Sequence, residues 1–246
     1  MLDLIRNRTH DELGAAGARL AAAAISRAHA EGRPATVLLA AAPSQLPVLS
    51  ALAAADVHDR PVRYFHMDEY VGLAEGAPQA FGAWLGRSYF DRLPAGHQAS
   101  FERIDAGGDP EAAATAYAGL LPTGDFDLVL CGIGINGHLA FNDPGCDLDD
   151  PLPVRHIRLA RESRVQQVDE GLFPSLEAVP EHAVTVTVPR MLASRAIVCS
   201  VLGEAKAEAV RAMLEEPVGN AVPATALREH PVTTVLVDEE AMSRVR

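Results

Sequence analysis

The sequence predicts an α/β fold in which helices cover both faces of a doubly wound, mainly parallel sheet. One observation is the alternation of short apolar runs with segments whose apolar residues recur at helical spacing. A second is that the strand-like runs are apolar almost throughout, which is typical of strands buried on both faces. A third is the lack of a Ser/Gly-rich linker or internal repeat, from which we predict one domain over residues 1–246.

The elements follow in order along the chain. Leu13, Leu20 and Ala24 recur at helical spacing within a helix predicted over residues 9–31, and the apolar run 36–40 predicts the first strand. The same two patterns then predict a helix over 45–56, a strand over 61–66, helices over 79–91 and 110–121, and a strand over 126–131. The second half continues with a helix over 161–170, strands over 183–188 and 195–202, a helix over 204–215 and a strand over 232–238.

Composition excludes several classes of protein. Apolar residues make up 48% and charged residues 22% of the chain, as in ordinary globular domains. The longest apolar runs have the length of strands and the N-terminus lacks the apolar core of a signal peptide, so we expect a cytoplasmic protein. A net charge of −12 argues against nucleic acid or an anionic membrane as the main partner. Assembly into a homo-oligomer stays open.

The cysteines agree with the expected cytoplasmic location. Cys131, Cys146 and Cys199 are odd in number and form no Cys-x-x-Cys pair. We therefore expect reduced thiols, with neither a disulfide nor a zinc site.

Ligands of doubly wound sheets bind outside the carboxyl ends of the strands. After the first predicted strand, Ser44 could cap the next helix or, together with the free amides of its first turn, bind a phosphate. After the second predicted strand come Asp68 and Glu69. Adjacent carboxylates point in different directions, so one could remove a carbon-bound proton while its neighbour makes a structural contact. The alternative for this pair is a solvated acidic turn.

The glycine-rich segment 131–145 follows a third predicted strand and brings together His138, Asn136 and Asp143. Histidine exchanges protons near neutral pH, and a neighbouring carboxylate would orient its ring. The alternative is a histidine bonded within a structural loop. Among the nine histidines, His138 alone combines a glycine turn, a strand end and a nearby acid, which favours a functional role.

The same segment formally matches the dinucleotide motif G-x-G-x-x-G through Gly132, Gly134 and Gly137. That motif must open a helix, but Pro144 lies close behind and interrupts regular structure. The acidic residue expected about 20 residues later is also missing. The sequence therefore argues against a nicotinamide site.

Two segments carry a family resemblance. Residues 66–73, HMDEYVGL, and 132–145, GIGINGHLAFNDPG, resemble the glucosamine-6-phosphate deaminase (isomerase) family. The similarity extends from about residue 35 to the C-terminus. The related 6-phosphogluconolactonases share the fold and the Gly-His element but lack the Phe-Asn-acid-Pro continuation. The resemblance implies a doubly wound domain of the NagB/RpiA/CoA-transferase type, in agreement with the predicted alternation.

The resemblance also implies roles. Asp68 matches the base that moves a proton between C2 and C1 of the open-chain amino sugar, and His138 matches the histidine that opens the ring. Asp143 stands where the family usually has glutamate, so its shorter side chain would need a water molecule or a loop shift to reach His138. Asn136 stands where aspartate is common, so the histidine would lose one carboxylate partner.

The expected substrate- and phosphate-binding residues are Ser44, Gln45, Glu69, Gly137 and Lys206, of which Lys206 is the expected phosphate-binding cation. The phosphate loop departs from the family pattern and keeps only the serine. The family's phosphate arginine should fall near residues 166–169, and none aligns there; Arg161 and Arg164 are displaced from that position.

We therefore predict isomerisation and deamination of an amino-sugar phosphate, glucosamine 6-phosphate or a close analogue. A small sugar phosphate would be the partner, and no metal or organic cofactor is needed. Two alternatives stay open: a sugar-phosphate lactonase, and a sugar-phosphate sensor without turnover.

Overall fold

The computed structural model describes residues 2–74 and 76–245, so the ends of the predicted domain lie outside it. The elements in chain order are β1 (Leu2–Arg6), α1 (His10–Ala30), β2 (Ala35–Leu39), α2 (Leu46–Ala53), β3 (Val62–His66), β4 (Asp68–Tyr70), α3 (Phe81–Ser88), β5 (Ala99–Glu102), α4 (Pro110–Leu120), β6 (Leu128–Cys131), β7 (Val154–Arg158), α5 (Arg161–Asp169), β8 (His182–Val186), α6 (Val188–Leu192), β9 (Ile197–Val201), α7 (Ala207–Glu215) and β10 (Thr233–Val237). Short 3₁₀ turns, Pro43–Gln45 and Glu204–Lys206, lead into α2 and α7.

The main sheet has seven strands in the order β1-β10-β9-β6-β2-β3-β5, and every neighbouring pair is parallel. The predicted doubly wound, mainly parallel fold is therefore confirmed. From β2 the chain winds outward through β3 to β5, and from β6 it winds the other way through β9 to β10. The strand order reverses between β2 and β6, and ligands bind at such a switch point.

Both faces of this sheet are buried. Successive strand residues point to opposite sides of the sheet, so neighbouring residues pack in different apolar clusters. Leu38 and Val129 belong to one apolar cluster, together with residues of α4 and α7. Their neighbours Leu39 and Leu130 belong to a second cluster, together with residues of α1, α2 and α3. The continuous apolar runs seen in the sequence follow from this two-sided burial.

A second, antiparallel sheet of three strands in the order β4-β8-β7 was not predicted. The run 183–188 was expected in the parallel sheet, but β8 lies here instead. The other two strands of this sheet form no apolar run from which a strand could be predicted. β4 has only three residues, and β7 reads VRHIR, in which three of five residues are basic or histidine. A third apolar cluster, which includes Tyr70, Phe81 and Phe141, packs beside this sheet.

Two edge strands of the main sheet, β1 and β5, were also not predicted. Both are short and only partly buried, so neither produces an apolar run. The helices predicted over 45–56 and 79–91 are shorter in the structure, where they cover Leu46–Ala53 and Phe81–Ser88. Within residues 2–74 and 76–245, no helix combines the length and apolar character that spanning a membrane requires.

Candidate active site

A cavity of about 520 Å³ opens at the switch point, where the segments that follow β2 and β6 meet. Its polar lining comes from His10, Ser44, Asp68, His138, Gln166, Gln167, Glu170 and Lys206. Two stacked aromatic rings, Phe81 and Phe141, contribute to its apolar wall, with centroids 5.6 Å apart. The structure therefore brings Asp68, His138 and Ser44 into one cavity, as their positions after strand ends suggested, together with Lys206, which the family resemblance predicted.

A larger and more open depression of about 800 Å³ lies elsewhere, between residues 71–73 and 176–182. It contains none of the side chains predicted to take part in the chemistry. Size alone would select it, but the convergence of a buried carboxylate and a histidine selects the smaller cavity.

Gly134 explains how the His138 ring fits its turn. A Cβ atom at position 134 would lie 2.1 Å from Cε1 and 2.2 Å from Nε2 of the imidazole, closer than any real contact. The backbone N–H of Gly134 donates to the carbonyl of His138 at 3.0 Å, which closes the turn. The glycine therefore provides room for the ring.

Asn136 and Asp143 orient that ring. The Asn136 side-chain N–H donates to Oδ1 of Asp143 at 3.0 Å, so its amide oxygen faces Nδ1 of His138 at 2.8 Å. Because an amide oxygen only accepts, Nδ1 carries the proton. No described residue hydrogen-bonds to Nε2, and with the proton on Nδ1 this second nitrogen can accept a proton at the cavity wall.

Asp143 lies 3.4 Å from Nδ1 of His138, and the hydroxyl of Ser163 bridges the two. The Ser163 Oγ is 2.9 Å from Nδ1 and donates a short hydrogen bond to Oδ1 of Asp143. The other carboxylate oxygen accepts from the N–H of Ala160 at 3.1 Å, just before α5. Neither a water molecule nor a loop shift is needed, so that expectation for the shorter aspartate side chain is corrected.

The charge on Asp143 is well stabilised. Burial alone would raise the pKa of this carboxyl, but hydrogen bonds from His138, Ser163 and Asn136 outweigh burial and lower the pKa to about 2. An anion therefore faces the protonated Nδ1 side of the imidazole throughout the neutral range.

Asp68 begins β4 and is 6% exposed. Burial raises the pKa of its carboxyl well above the ordinary value, and the neighbouring charge of Glu69 adds to that shift. A carboxyl with a raised pKa beside a cavity can both take and return a proton near neutral pH. The alternative of a solvated acidic turn is wrong for this pair, because both side chains are buried.

Glu69 does not line the cavity. Its carboxylate accepts hydrogen bonds from the backbone N–H groups of Tyr70, Phe81 and Gly82 at 2.9 to 3.0 Å. The last two belong to the first turn of α3, whose free amides attract an anion. The predicted substrate contact through Glu69 is therefore corrected: its side chain holds the start of α3, and Phe81 reaches the cavity from there.

Two other predicted contacts also lie outside the cavity lining. Gln45 is 1% exposed, and its side-chain N–H donates to the carbonyl of Cys131 at 2.8 Å, which ties the segment after β2 to β6. Gly137 adopts φ of +83°, and a Cβ there would lie 2.6 Å from Val222. Both residues shape the loops around the site, so their prediction as substrate contacts is corrected.

Lys206 reaches the cavity wall, where its ammonium lies 3.4 Å from the carboxylate of Glu170. Burial lowers the pKa of this lysine, and Glu170 opposes the shift. The same Glu170 oxygen accepts a hydrogen bond from the side-chain N–H of Gln166 at 2.7 Å. Among the described residues that line the cavity, Lys206 is the one lysine and there is no arginine.

Ser163, Gln166 and Glu170 were missed as site residues. All three lie on or directly after α5, which enters the site only because the chain returns to the switch point from β7. The sequence offered one signal for this segment: the family's phosphate arginine should fall near residues 166–169. That position predicts that the segment faces the phosphate of the substrate. His10 was missed because nothing in the sequence connects the start of α1 with a loop after β6.

The described residues contain no group of three or more histidine, cysteine, aspartate or glutamate side chains placed to hold a metal ion.

A family model described as glucosamine-6-phosphate isomerases/6-phosphogluconolactonase matches residues 8–236. The chain belongs to this family. A relative from Exiguobacterium sp. (strain ATCC BAA-1283 / AT1b), named glucosamine-6-phosphate deaminase, is 39% identical over 73% of this chain and 68% of its own length. Another glucosamine-6-phosphate deaminase, from Streptomyces coelicolor, is 34% identical over 94% of this chain and 89% of its own.

Solved structures of the glucosamine-6-phosphate isomerase/6-phosphogluconolactonase family agree with the fold. A monomeric glucosamine-6-phosphate deaminase superposes with a TM-score of 0.88 at 28% identity, covering 98% of this chain and 99% of that one. A 6-phosphogluconolactonase from Shewanella baltica superposes with a TM-score of 0.79 at 18% identity, covering 97% and 98%. The second likeness shows the shared fold alone.

Proposed function

We propose that residues 1–246 act as one α/β domain that isomerises and deaminates an amino-sugar phosphate, with glucosamine 6-phosphate as the reference substrate. The observation that carries this proposal is the placement of the buried Asp68 and the oriented His138 in one cavity. The names of the relatives support the choice of substrate.

Ring opening falls to His138. Its unprotonated Nε2 accepts the proton of the anomeric hydroxyl, the C1–O5 bond breaks, and the proton passes to O5. The imidazolium formed in between is stabilised by the anionic Asp143 and the amide oxygen of Asn136. The product of this step is the open-chain aldehyde.

Isomerisation and deamination follow at C2. The carboxylate of Asp68 takes the proton from C2 while the ammonium group of the substrate gives a proton to O1, so that an enolamine forms, and the same carboxyl group then delivers its proton to C1. The amino group now stands on C2 as an iminium ion, water adds to that carbon, and ammonium leaves to give the ketose phosphate. The raised pKa of Asp68 suits a group that must hold and return a proton.

Location and partners complete the proposal. We infer a cytoplasmic enzyme acting on a small sugar phosphate, which is supported by the three unpaired cysteines. An arrangement of several copies is not required by the site, because one chain supplies every group named above.

The test is incubation with glucosamine 6-phosphate while ammonia and fructose 6-phosphate are measured together. Equal release of both is expected from the unchanged protein, and Asp68→Asn should lower the rate at least about 100-fold. Asp59→Asn, which removes an exposed carboxylate, is the matched control and should keep full activity. Ammonia release that is unaffected by Asp68→Asn would remove Asp68 from its role.

The same protein sample distinguishes the lactonase alternative from the proposed deaminase. Hydrolysis of 6-phosphogluconolactone without any ammonia release from amino-sugar phosphates would replace the proposal with that activity. Binding of glucosamine 6-phosphate with no turnover of either compound would instead favour the sensor.

A further inference from the structure

Three side chains that can carry a positive charge line the cavity, and they differ in what they face: His10, His138 and Lys206. The ammonium of Lys206 lies 3.4 Å from the carboxylate of Glu170. The ring of His138 lies 3.4 Å from the carboxylate of Asp143. No described residue forms a hydrogen bond or an ion pair with the imidazole of His10. Of the three, His10 is therefore the group that an anionic ligand can pair with without competing against a carboxylate.

Close packing of α1 on α2 holds His10 at this edge of the cavity. Gly14 and Gly17 follow His10 by four and seven residues, so all three lie on one face of α1. A Cβ atom at Gly14 would lie 2.5 Å from the carbonyl oxygen of Pro47, and one at Gly17 would lie 2.5 Å from Cγ2 of Val48. Larger residues at these positions would push the helices apart. The two glycines thus let the start of α1 approach the segment that leads into α2.

Ser44 lies on that segment, and the folded chain brings it towards Lys206. A Cβ atom at Gly132 would lie 3.1 Å from Oγ of Ser44 and 3.4 Å from the carbonyl oxygen of Ser200. Ser44 therefore lies between the ends of β6 and β9, and β9 leads into the turn that carries Lys206. The Ser44 oxygen accepts from Nε2 of Gln45 at 3.3 Å, which leaves its hydroxyl hydrogen to be donated to a ligand. The serine, the lysine and the start of α1 thus border one end of the cavity.

We propose that His10 binds the phosphate group of the substrate, together with Ser44 and Lys206. A phosphate monoester carries a charge of about −1.5 to −2 at neutral pH, whereas the Lys206 ammonium is already partly balanced by Glu170. The protonated imidazole of His10 supplies a second positive charge and donates a charge-assisted hydrogen bond to a phosphate oxygen. The inference rests on the proposed function, because it takes an amino-sugar phosphate as the ligand.

Binding of two hexitols that cannot be isomerised tests this contact: 2-amino-2-deoxyglucitol 6-phosphate and the same compound without its phosphate. His10→Gln removes the charge and keeps a polar side chain at the start of α1. It should weaken binding of the phosphorylated hexitol about tenfold, as expected for one charge-assisted hydrogen bond, and change binding of the other less than about twofold. His10→Arg carries a permanent charge and should bind the phosphorylated hexitol within about threefold of the unchanged protein.

Kinetics give a second readout. In His10→Gln the KM for glucosamine 6-phosphate should rise about tenfold while kcat changes less than about twofold, because the phosphate contact is the same in the bound substrate and in the transition state. The matched control is His97→Gln, the same substitution at an exposed histidine outside the cavity lining. This control should leave KM and both dissociation constants unchanged.

Two results overturn the inference. One is that His10→Gln weakens both hexitols equally or weakens neither, and the other is that the unchanged protein does not prefer the phosphorylated hexitol. Ammonia release from glucosamine 6-phosphate with unaltered binding in His10→Gln would remove the role of His10 and leave the proposed function standing. The expected binding results without any ammonia release would count against the proposed function alone.

Discussion

The hydroxyl oxygen of Ser163 lies 2.9 Å from Nδ1 of His138, and the same hydroxyl donates a hydrogen bond to Asp143. A serine thereby connects an acid and a base that are themselves 3.4 Å apart. Its side chain is fully buried, so no solvent competes for the hydroxyl. The orientation of the imidazole thus depends on α5 as well as on the glycine-rich turn.

Ser163→Ala tests this connection. The variant should lose about tenfold in kcat on the cyclic amino sugar, because a buried hydrogen bond to a charged group is removed. Exchange of the C2 proton of an open-chain analogue, followed by NMR, should change much less, since we propose Asp68, and not His138, as the base of that step. Ser50→Ala on the exposed side of α2 is the control. Equal losses on the cyclic and open-chain compounds would contradict a role in ring orientation.

Asp68→Asn should stabilise the protein while abolishing turnover. Burial raises the pKa of Asp68 in the folded chain. The ionised form of Asp68 therefore destabilises the folded protein once the pH exceeds about 3.9, which is the pKa of an aspartate in the unfolded chain. Asparagine carries no charge, so the gain in unfolding free energy over the unchanged protein should grow as pH rises from 4 to 8. Urea unfolding at pH 4 and at pH 8 measures this gain in unfolding free energy. A gain that becomes smaller as the pH rises would contradict the predicted pH dependence.

Asp143→Asn should have the opposite effect on stability. The folded pKa of about 2 lies below the ordinary value, so the ionised carboxylate stabilises the fold above pH 4. The variant should lose about 2 kcal/mol of unfolding free energy at pH 7, and this loss should shrink as pH falls from 4 towards 2. Exposed Asp149→Asn serves as the reference variant. A loss that stays constant over this range would mean that packing, and not charge, accounts for the effect.

Gly134→Ala should remove activity with little change in fold. The added methyl group would overlap the imidazole of His138, which must then rotate out of its hydrogen bonds. We expect kcat to fall at least about 100-fold, comparable to loss of a general acid or base. Gly119→Ala in α4, where nothing lies within 4 Å of the new atom, should keep full activity. Thermal unfolding followed by circular dichroism checks that both variants fold.

The sequence allowed the central strands and the strand-end candidates to be predicted for one physical reason. Strands buried on both faces, such as β2 and β6, are apolar throughout, and parallel strands direct their following loops to one edge. Asp68, His138 and Ser44 could therefore be placed near each other, whereas Lys206 was expected there only from the family resemblance. Which other side chains point into the cavity could not be predicted in this way.

The incorrect contacts share a cause. Gln45 and Glu69 lie beside cavity residues in sequence, but each is bound to backbone groups that only the folded chain brings near. Ser163 and Glu170 were overlooked because their partners come from a different part of the chain. Side-chain direction in a loop depends on long-range hydrogen bonds, and neither residue spacing nor composition encodes these.

The pairing of β1 with β10 has a consequence for how the molecule is made. Leu2 pairs with Thr233, so β1, which precedes the other described strands along the chain, is hydrogen-bonded only to β10, which follows them all. β1 therefore has no strand partner until β10 has been synthesised, and closing so long a loop is slow. Until then β10 is also absent beside β9, and a nascent chain exposes a strand edge that can pair with another molecule. Premature termination before β10 should therefore yield aggregates and not a smaller working enzyme.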